Sequence, residues 1–263
     1  MKILVTNDDG VGAPGLAALA AALAPLGEVT IVAPAAEMSA TSHSLTLTRP
    51  LRVTSVSEGI FAVDGTPTDC VYLAIYQILG RDVDLVVSGI NWGINLGDDI
   101  TYSGTVAAAL EGTLLGCPSF AVSLERSKPM IYERAAAFAA TVARRVLDDG
   151  LPPDVYLNVN VPAGAIVGVE LARQGKRIYH DGVSAEPGEG GETVYRIGGY
   201  PEWDLQPGSD IAAFRAGNIT ITPLRVDQTD DAAIGSLARW RFDAPGGDTP
   251  MIEEVRPVRG RRR

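Results

Sequence analysis

Apolar residues along this chain fall into two alternating periods, and the alternation lays out the fold. Residues 2–6 form a short β-branched run bounded by polar and Gly-rich sequence, which predicts a buried strand; 28–32, 84–88, 119–124 and 155–161 read the same way. Between them, 13–26, 70–79, 106–115 and 130–147 are Ala/Leu-rich or apolar at helical spacing, the first two bounded by Pro or an N-cap residue before and Gly after. Continuous apolar strands alternating with helices predict a parallel sheet covered on both faces. The expected fold is α/β: a Rossmann-like, mostly parallel sheet flanked by helices. Residues 45–53 alternate apolar with hydroxyl or basic residues and, with 60–63, predict a hairpin or edge addition.

The organisation changes near Pro162. Beyond it, short β-prone pieces at 169–171, 177–179, 193–197 and 219–221 alternate with Gly/Pro-rich connections such as 186–191, and a last helix is expected at 232–240. That predicts a C-terminal β-hairpin excursion rather than another strand–helix–strand unit. The chain divides accordingly into a core over 1–162 and an excursion with C-terminal helix and tail over 163–263. Long β-arms invite pairing with another chain, so the excursion is expected to serve oligomerisation.

Chemistry concentrates where the strands end. Asn7, Asp8, Asp9 and Gly10 follow the first strand at once, at the edge where open α/β sheets bind ligands. Two adjacent carboxylates repel each other unless paired, and a divalent cation with oxygen ligands is the simplest partner. All four residues also favour plain turns. Gly10, Gly12 and Gly15 spell GxGxxG, yet a dinucleotide site is rejected: Asp8 and Asp9 would face the pyrophosphate, and Pro14 removes a donor. Pro14 fits the first position of a helix instead.

Two further loops lie on the same edge. Residues 33–44 carry Ser39, Thr41, Ser42 and Ser44, any of which could join a metal shell or simply bond local backbone. Residues 89–99 hold three glycines and two asparagines, Asn91 and Asn95, and lead into Tyr102-Ser103-Gly104-Thr105 at a helix start. Hydroxyls, N–H groups and the positive end of a helix dipole make an anion site there. A carboxylate-rich metal site beside a phosphate-ready helix start suggests phosphoryl chemistry.

Composition narrows the setting. A net charge of −10 argues against a stable nucleic-acid complex, and no apolar run has the length of a membrane span. The one basic run, 256–263, reads as a solvated terminus. Cys70 and Cys117 make neither a disulfide framework nor a zinc site; Cys70 at a helix start could favour a thiolate, though a buried structural role is the plainer reading. With no secretory signal in view, the cytoplasm is the expected location.

Together, NDDG at 7–10, APG at 13–15, SLTL at 44–47, GTPTDCVYL at 65–73, VSGIN at 87–91, and NLGDD before YSGTVAAALEG at 102–112 resemble the SurE family, the survival-protein nucleotidases. The likeness continues through Asn158 to Pro162 and ITPLRVDQTD at 221–230, so it covers nearly the whole chain. It implies a metal-dependent phosphatase acting on nucleoside 5′- and 3′-monophosphates. It places one divalent cation, Mg2+ or Mn2+, on Asp8, Asp9, Ser39 and Asn91, and substrate contacts on Asn95, Ser103, Gly104 and Thr105. It also implies a homodimer or homotetramer built through arms and an exchanged C-terminal segment. The loop after Pro34, AAEMSATSHS, departs from the family in lacking its basic and glycine residues. The expected mechanism is hydrolysis with a metal-bound water as nucleophile, with Asp8 and Asp9 as the catalytic pair. Direct attack by Asp8 or Asp9 on phosphorus is the alternative within the same chemistry. A nucleotide- or metal-binding regulator without turnover is the alternative outside it. His43, near Ser39 in sequence, is one candidate general acid.

Overall fold

The computed structural model describes residues 1–240 other than 181, 189 and 199; the basic run 256–263 lies outside the described residues. In chain order the elements of the first compact unit, Met1–Val226, begin β1 (Lys2–Thr6), α1 (Pro14–Leu23), β2 (Glu28–Pro34), β3 (Val53–Ser57), β4 (Ile60–Val63) and α2 (Pro67–Leu73). There follow β5 (Leu85–Trp92), α3 (Gly104–Leu114), β6 (Ser119–Leu124), α4 (Glu133–Asp149) and β7 (Val155–Val161). The remainder is β8 (Gly168–Leu171), β9 (Arg177–His180), β10 (Val183–Pro187), β11 (Thr193–Ile197), β12 (Tyr200–Trp203), α5 (Asp210–Arg215) and β13 (Asn218–Arg225). The second unit, Asp227–Arg263, contains α6 (Asp231–Leu237), whose start is capped by Asp230 accepting from Ala232 and Ala233 N–H.

Nine strands form one sheet in the order β3-β4-β2-β1-β5-β6-β7-β13-β8. From β4 to β7 all six neighbours run parallel, whereas β3 and β13 oppose β4 and β7. The sheet is thus mostly parallel and flanked by helices, as the periodicity predicts. Because β1 has β2 on one side and β5 on the other, the strand order reverses at β1/β5, and a crevice opens past their carboxyl ends.

Alternation sorts the side chains onto two faces. Ile3, Val5, Val87, Phe120, Val122 and Val159 pack under α1 and α4, while Leu4, Val32 and Val86 pack under α2 and Ala108 of α3. Gly15 explains why α1 lies so close: a Cβ there would strike the Ile90 carbonyl oxygen of β5 and sit 2.9 Å from the Tyr132 ring. The last glycine of the apparent dinucleotide motif is therefore a packing residue.

Three expectations change. Residues 45–52 are not strand, because Thr46 gives its N–H to Asp69 Oδ1 (2.9 Å) and its hydroxyl to Asp69 Oδ2 (2.6 Å), which removes it from any ladder. The helix expected at 70–79 starts at Pro67 behind a Thr66–Asp69 capping box, and continues as a π-helical turn over Ala74–Ile78. Cys70 is consequently inside the helix and fully buried, and burial pushes its thiol well above the ordinary range, which favours the buried structural role over a thiolate. Finally, β5 runs on through Gly89 to Trp92, its pairing with β6 shifting between Ser88 and Asn91. Past β7, β10 pairs with β11 and β9 with β12, both antiparallel, and β13 returns to the main sheet.

Candidate active site

The turn after β1 is closed by Asn7, whose amide gives its Nδ2 to the Gly10 carbonyl (3.0 Å) and accepts from Gly10 N–H (3.2 Å). Asn7 is fully buried and serves the turn; Asp8 and Asp9 are what it presents to the cavity. Asp8 Oδ1 accepts the Thr105 hydroxyl, and its carbonyl accepts Met38 N–H (2.8 Å), tying the loop after β2 to the end of β1. Asp9 Oδ2 accepts Trp92 N–H at 3.0 Å. Burial raises the Asp8 carboxyl to about 6, the Thr105 bond opposing and the charge of Asp9 adding. Asp9 is raised too, by burial first; Trp92 N–H opposes, Glu37 adds, and Arg126 opposes. Among the described residues neither carboxylate has an ion-pair partner.

Ser39 Oγ donates to Glu37 Oε1 at 2.8 Å and retains its lone pairs. Asn91 gives Nδ2 to the Gly93 carbonyl at 2.8 Å, which leaves Oδ1 available. Asp8, Asp9, Ser39 and Asn91, drawn from the ends of β1 and β5 and the loop after β2, line one cavity of about 600 Å3. The described residues hold no group of three or more His, Cys, Asp or Glu placed for a metal. The donor set is two carboxylates plus two neutral oxygens, a composition that suits a hard divalent cation and excludes a soft one.

Asn95 and Ser103 line the same cavity. Ser103 caps α3, its Oγ accepting from Val106 N–H at 3.1 Å while the hydroxyl proton remains to donate. Gly104 lies against Asp8: a Cβ there would sit 3.0 Å from Asp8 Cβ and 3.1 Å from Thr41 Oγ1. Thr105 is fully buried, and its hydroxyl is spent on Asp8 instead of facing the cavity. His43 is not brought to the site; its Nε2 lies 2.7 Å from Glu111 Oε2 of α3, and it is absent from the cavity wall.

The arginines and tryptophans of the cavity carry no motif. Arg126 stacks 4.7 Å above the Trp92 ring and gives Nε to the Trp92 carbonyl (3.1 Å), and Arg177 pairs with Asp99 and lies 4.8 Å over Trp203. All line the cavity, as do Tyr102 and Glu125. Arg126 lies two residues past β6, so the rule that placed Asp8 and Asn91 at strand ends could have found it. Arg177 and Trp203 come from β9 and β12, where no local signal points to the site.

Fold and cavity define the class: an α/β protein whose crevice, at the switch point of a parallel sheet, sets acidic oxygens beside a helix start. The family model described as survival protein SurE matches residues 3–181. The chain is 53% identical over 249 residues to 5′-nucleotidase SurE of Geobacter sulfurreducens, covering 93% of this chain and 95% of that one. It is 52% identical over 243 residues to 5′-nucleotidase SurE of Syntrophotalea carbinolica, covering 91% and 97%. The crystal structure of the SurE protein from Aquifex aeolicus superposes with a TM-score of 0.82 at 41% identity, over 90% of this chain and 98% of that one. The chain belongs to the SurE family.

Proposed function

We propose that this chain is a divalent-metal-dependent nucleotidase that hydrolyses nucleoside 5′- and 3′-monophosphates to nucleoside and phosphate. It is a phosphoric monoester hydrolase, like the relatives named 5′-nucleotidases. The observation that carries the reading is the convergence of Asp8, Asp9, Ser39 and Asn91 with Asn95 and Ser103 on one cavity. Asp8, Asp9, Ser39 and Asn91 would hold one Mg2+ or Mn2+. When bound, such a cation neutralises substrate charge and lowers the pKa of water.

The chain's own groups do the remaining work. Thr105 and Trp92 N–H hold Asp8 and Asp9 in place. Asn95 and the Ser103 hydroxyl take phosphoryl oxygens, in a desolvated site where such bonds count for more than in water; Thr105, whose hydroxyl and N–H both serve Asp8, acts on the substrate only through that carboxylate. Trp92 and Tyr102, 49% and 63% exposed, offer flat apolar surface to a nucleoside beside that position. The β10–β11 ribbon exposes Val183, Val194, Tyr195 and Ile197, which supports assembly of a homodimer or homotetramer through the arm.

The test is phosphate release from a panel of 5′- and 3′-nucleoside monophosphates by EDTA-treated protein, with Mg2+, Mn2+ or neither restored. Release that needs the cation and vanishes in Asp9→Asn is the expected result. Release that persists without metal overturns the cation assignment, and no release with any substrate overturns the hydrolase reading.

A further inference from the structure

The face of the sheet under α3 changes chemistry along its strands. Leu4, Val86, Tyr156 and Leu224 make its first layer, all buried; nearer the crevice come Thr6, Ser88, Asn158, Asn160, Thr220 and Thr222, equally buried. Thr6 and Ser88 are cross-strand partners, as are Asn158 and Thr222, and Asn160 and Thr220. Among the described residues the side-chain oxygens of Thr6, Ser88, Thr220 and Thr222 have no protein hydrogen-bond partner. The asparagines of the same layer are used very differently.

Asn158 and Asn160 both give Nδ2 to the Asn95 carbonyl, at 2.8 and 3.0 Å. Asn160 Oδ1 also accepts Asn95 N–H at 2.8 Å, and Ser123, in register with Asn160 on β6, accepts Asn95 Nδ2 at 2.9 Å. Four bonds from three buried side chains thus converge on one residue outside regular structure. One would satisfy a loop carbonyl. The set fixes the main chain of Asn95 on both sides of its Cα and fixes the rotation of its amide as well. Burying two primary amides in a sheet is costly unless their bonds are made; Asn158 Oδ1 finds no partner among the described residues, so the Asn158 amide is held in the sheet for the one bond its Nδ2 gives to Asn95.

We propose that Ser123, Asn158 and Asn160 are positioning residues that set the Asn95 amide for the phosphoryl group. The inference rests on the assignment of Asn95 as a phosphoryl contact above. The three residues act through Asn95 and touch no substrate. An amide held in place loses no orientation when the transition state forms, and displacement by about 1 Å costs up to ~100-fold in rate.

A double-mutant cycle tests this, using hydrolysis of adenosine 5′-monophosphate by the full chain with saturating divalent cation. Asn158→Ala and the milder Ser123→Ala are each combined with Asn95→Ala, and urea unfolding is followed in parallel. Each single substitution is expected to lower kcat by about tenfold with KM changed less than about threefold, and to lower it less than about twofold once Asn95 is Ala. Thr222→Val, which deletes a hydroxyl that makes no hydrogen bond although it sits across from Asn158, should leave kcat within about twofold. A full-sized loss persisting in the Asn95→Ala background overturns the inference, and so does an unchanged kcat in both Asn158→Ala and Ser123→Ala. If Asn95→Ala alone leaves kcat and KM intact, the assignment of Asn95 fails, and the inference with it.

Discussion

Replacing Asp8 by Asn should stabilise the metal-free protein at neutral pH while abolishing phosphate release. The folded chain holds the Asp8 carboxyl at about 6 against an ordinary 3.8, chiefly through burial. Between those two values the folded state binds a proton that the unfolded chain has released. Stability therefore falls as pH rises through that window, and the loss is complete above about pH 7. A shift of roughly 2 units at 1.36 kcal/mol each makes the loss about 3 kcal/mol. Asn has no proton to lose and keeps an acceptor for the Thr105 hydroxyl, so Asp8→Asn escapes it. Urea unfolding in EDTA should show the variant about 2–3 kcal/mol more stable than the wild type at pH 7.5, and nearly equal to it at pH 4. In melting temperature the neutral-pH gain is about 5–10 °C for a chain of this size. Lost function with gained stability is the expected signature of a strained polar site. A variant no more stable than wild type at pH 7.5, or a gain of equal size at both pH values, would refute the reasoning.

Other outcomes follow from the same geometry. Gly104→Ala puts a methyl 3.0 Å from Asp8 Cβ and 3.1 Å from Thr41 Oγ1, and should cut kcat/KM by about tenfold or more in the phosphate-release assay. Asp210 accepts N–H bonds from Gly97, Gly175 and Ile211 at 3.0, 2.8 and 2.8 Å; Asp210→Ala should lower unfolding free energy by about 3 kcal/mol in a urea titration. Cys70 and Cys117 are buried, and burial raises the Cys70 thiol well above its usual value. An aromatic disulfide reagent at pH 8 should therefore label them only after denaturation, and rapid labelling of the native protein would contradict the packing. Trp92→Ala should raise KM for adenosine 5′-monophosphate more than for ribose 5-phosphate; equal changes would remove Trp92 from nucleoside contact.

The parts of the site that were legible in the sequence sit directly at strand ends. Asp8, Asp9 and Asn91 could be placed because an apolar run followed by polar and glycine residues fixes both the strand and the edge where it stops. Ser39 needed the family resemblance, since nothing local separates it from Thr41 or Ser42. The roles of Thr105 and His43 turn on distant partners, Asp8 and Glu111, which no window of sequence contains. The same holds for residues 45–52, whose alternation suggests a strand until Thr46 is drawn off by Asp69. Strands β10 and β12 and helix α5 were missed because each is six residues or fewer, with little periodicity to register.

The oxygens proposed to hold the cation come from three separated segments, Asp8-Asp9, Ser39 and Asn91, which meet only after β1, β2 and β5 have paired. In the unfolded chain the carboxylate pair stands alone, so a cation that binds the assembled four-oxygen site more tightly than the isolated pair favours the native state by mass action. At a concentration one hundred times its dissociation constant that amounts to about 2.7 kcal/mol, close to what burying Asp8 costs the empty site. The supply of divalent ions would then govern how long the protein survives as well as how fast it turns over, and depletion would expose it to proteolysis.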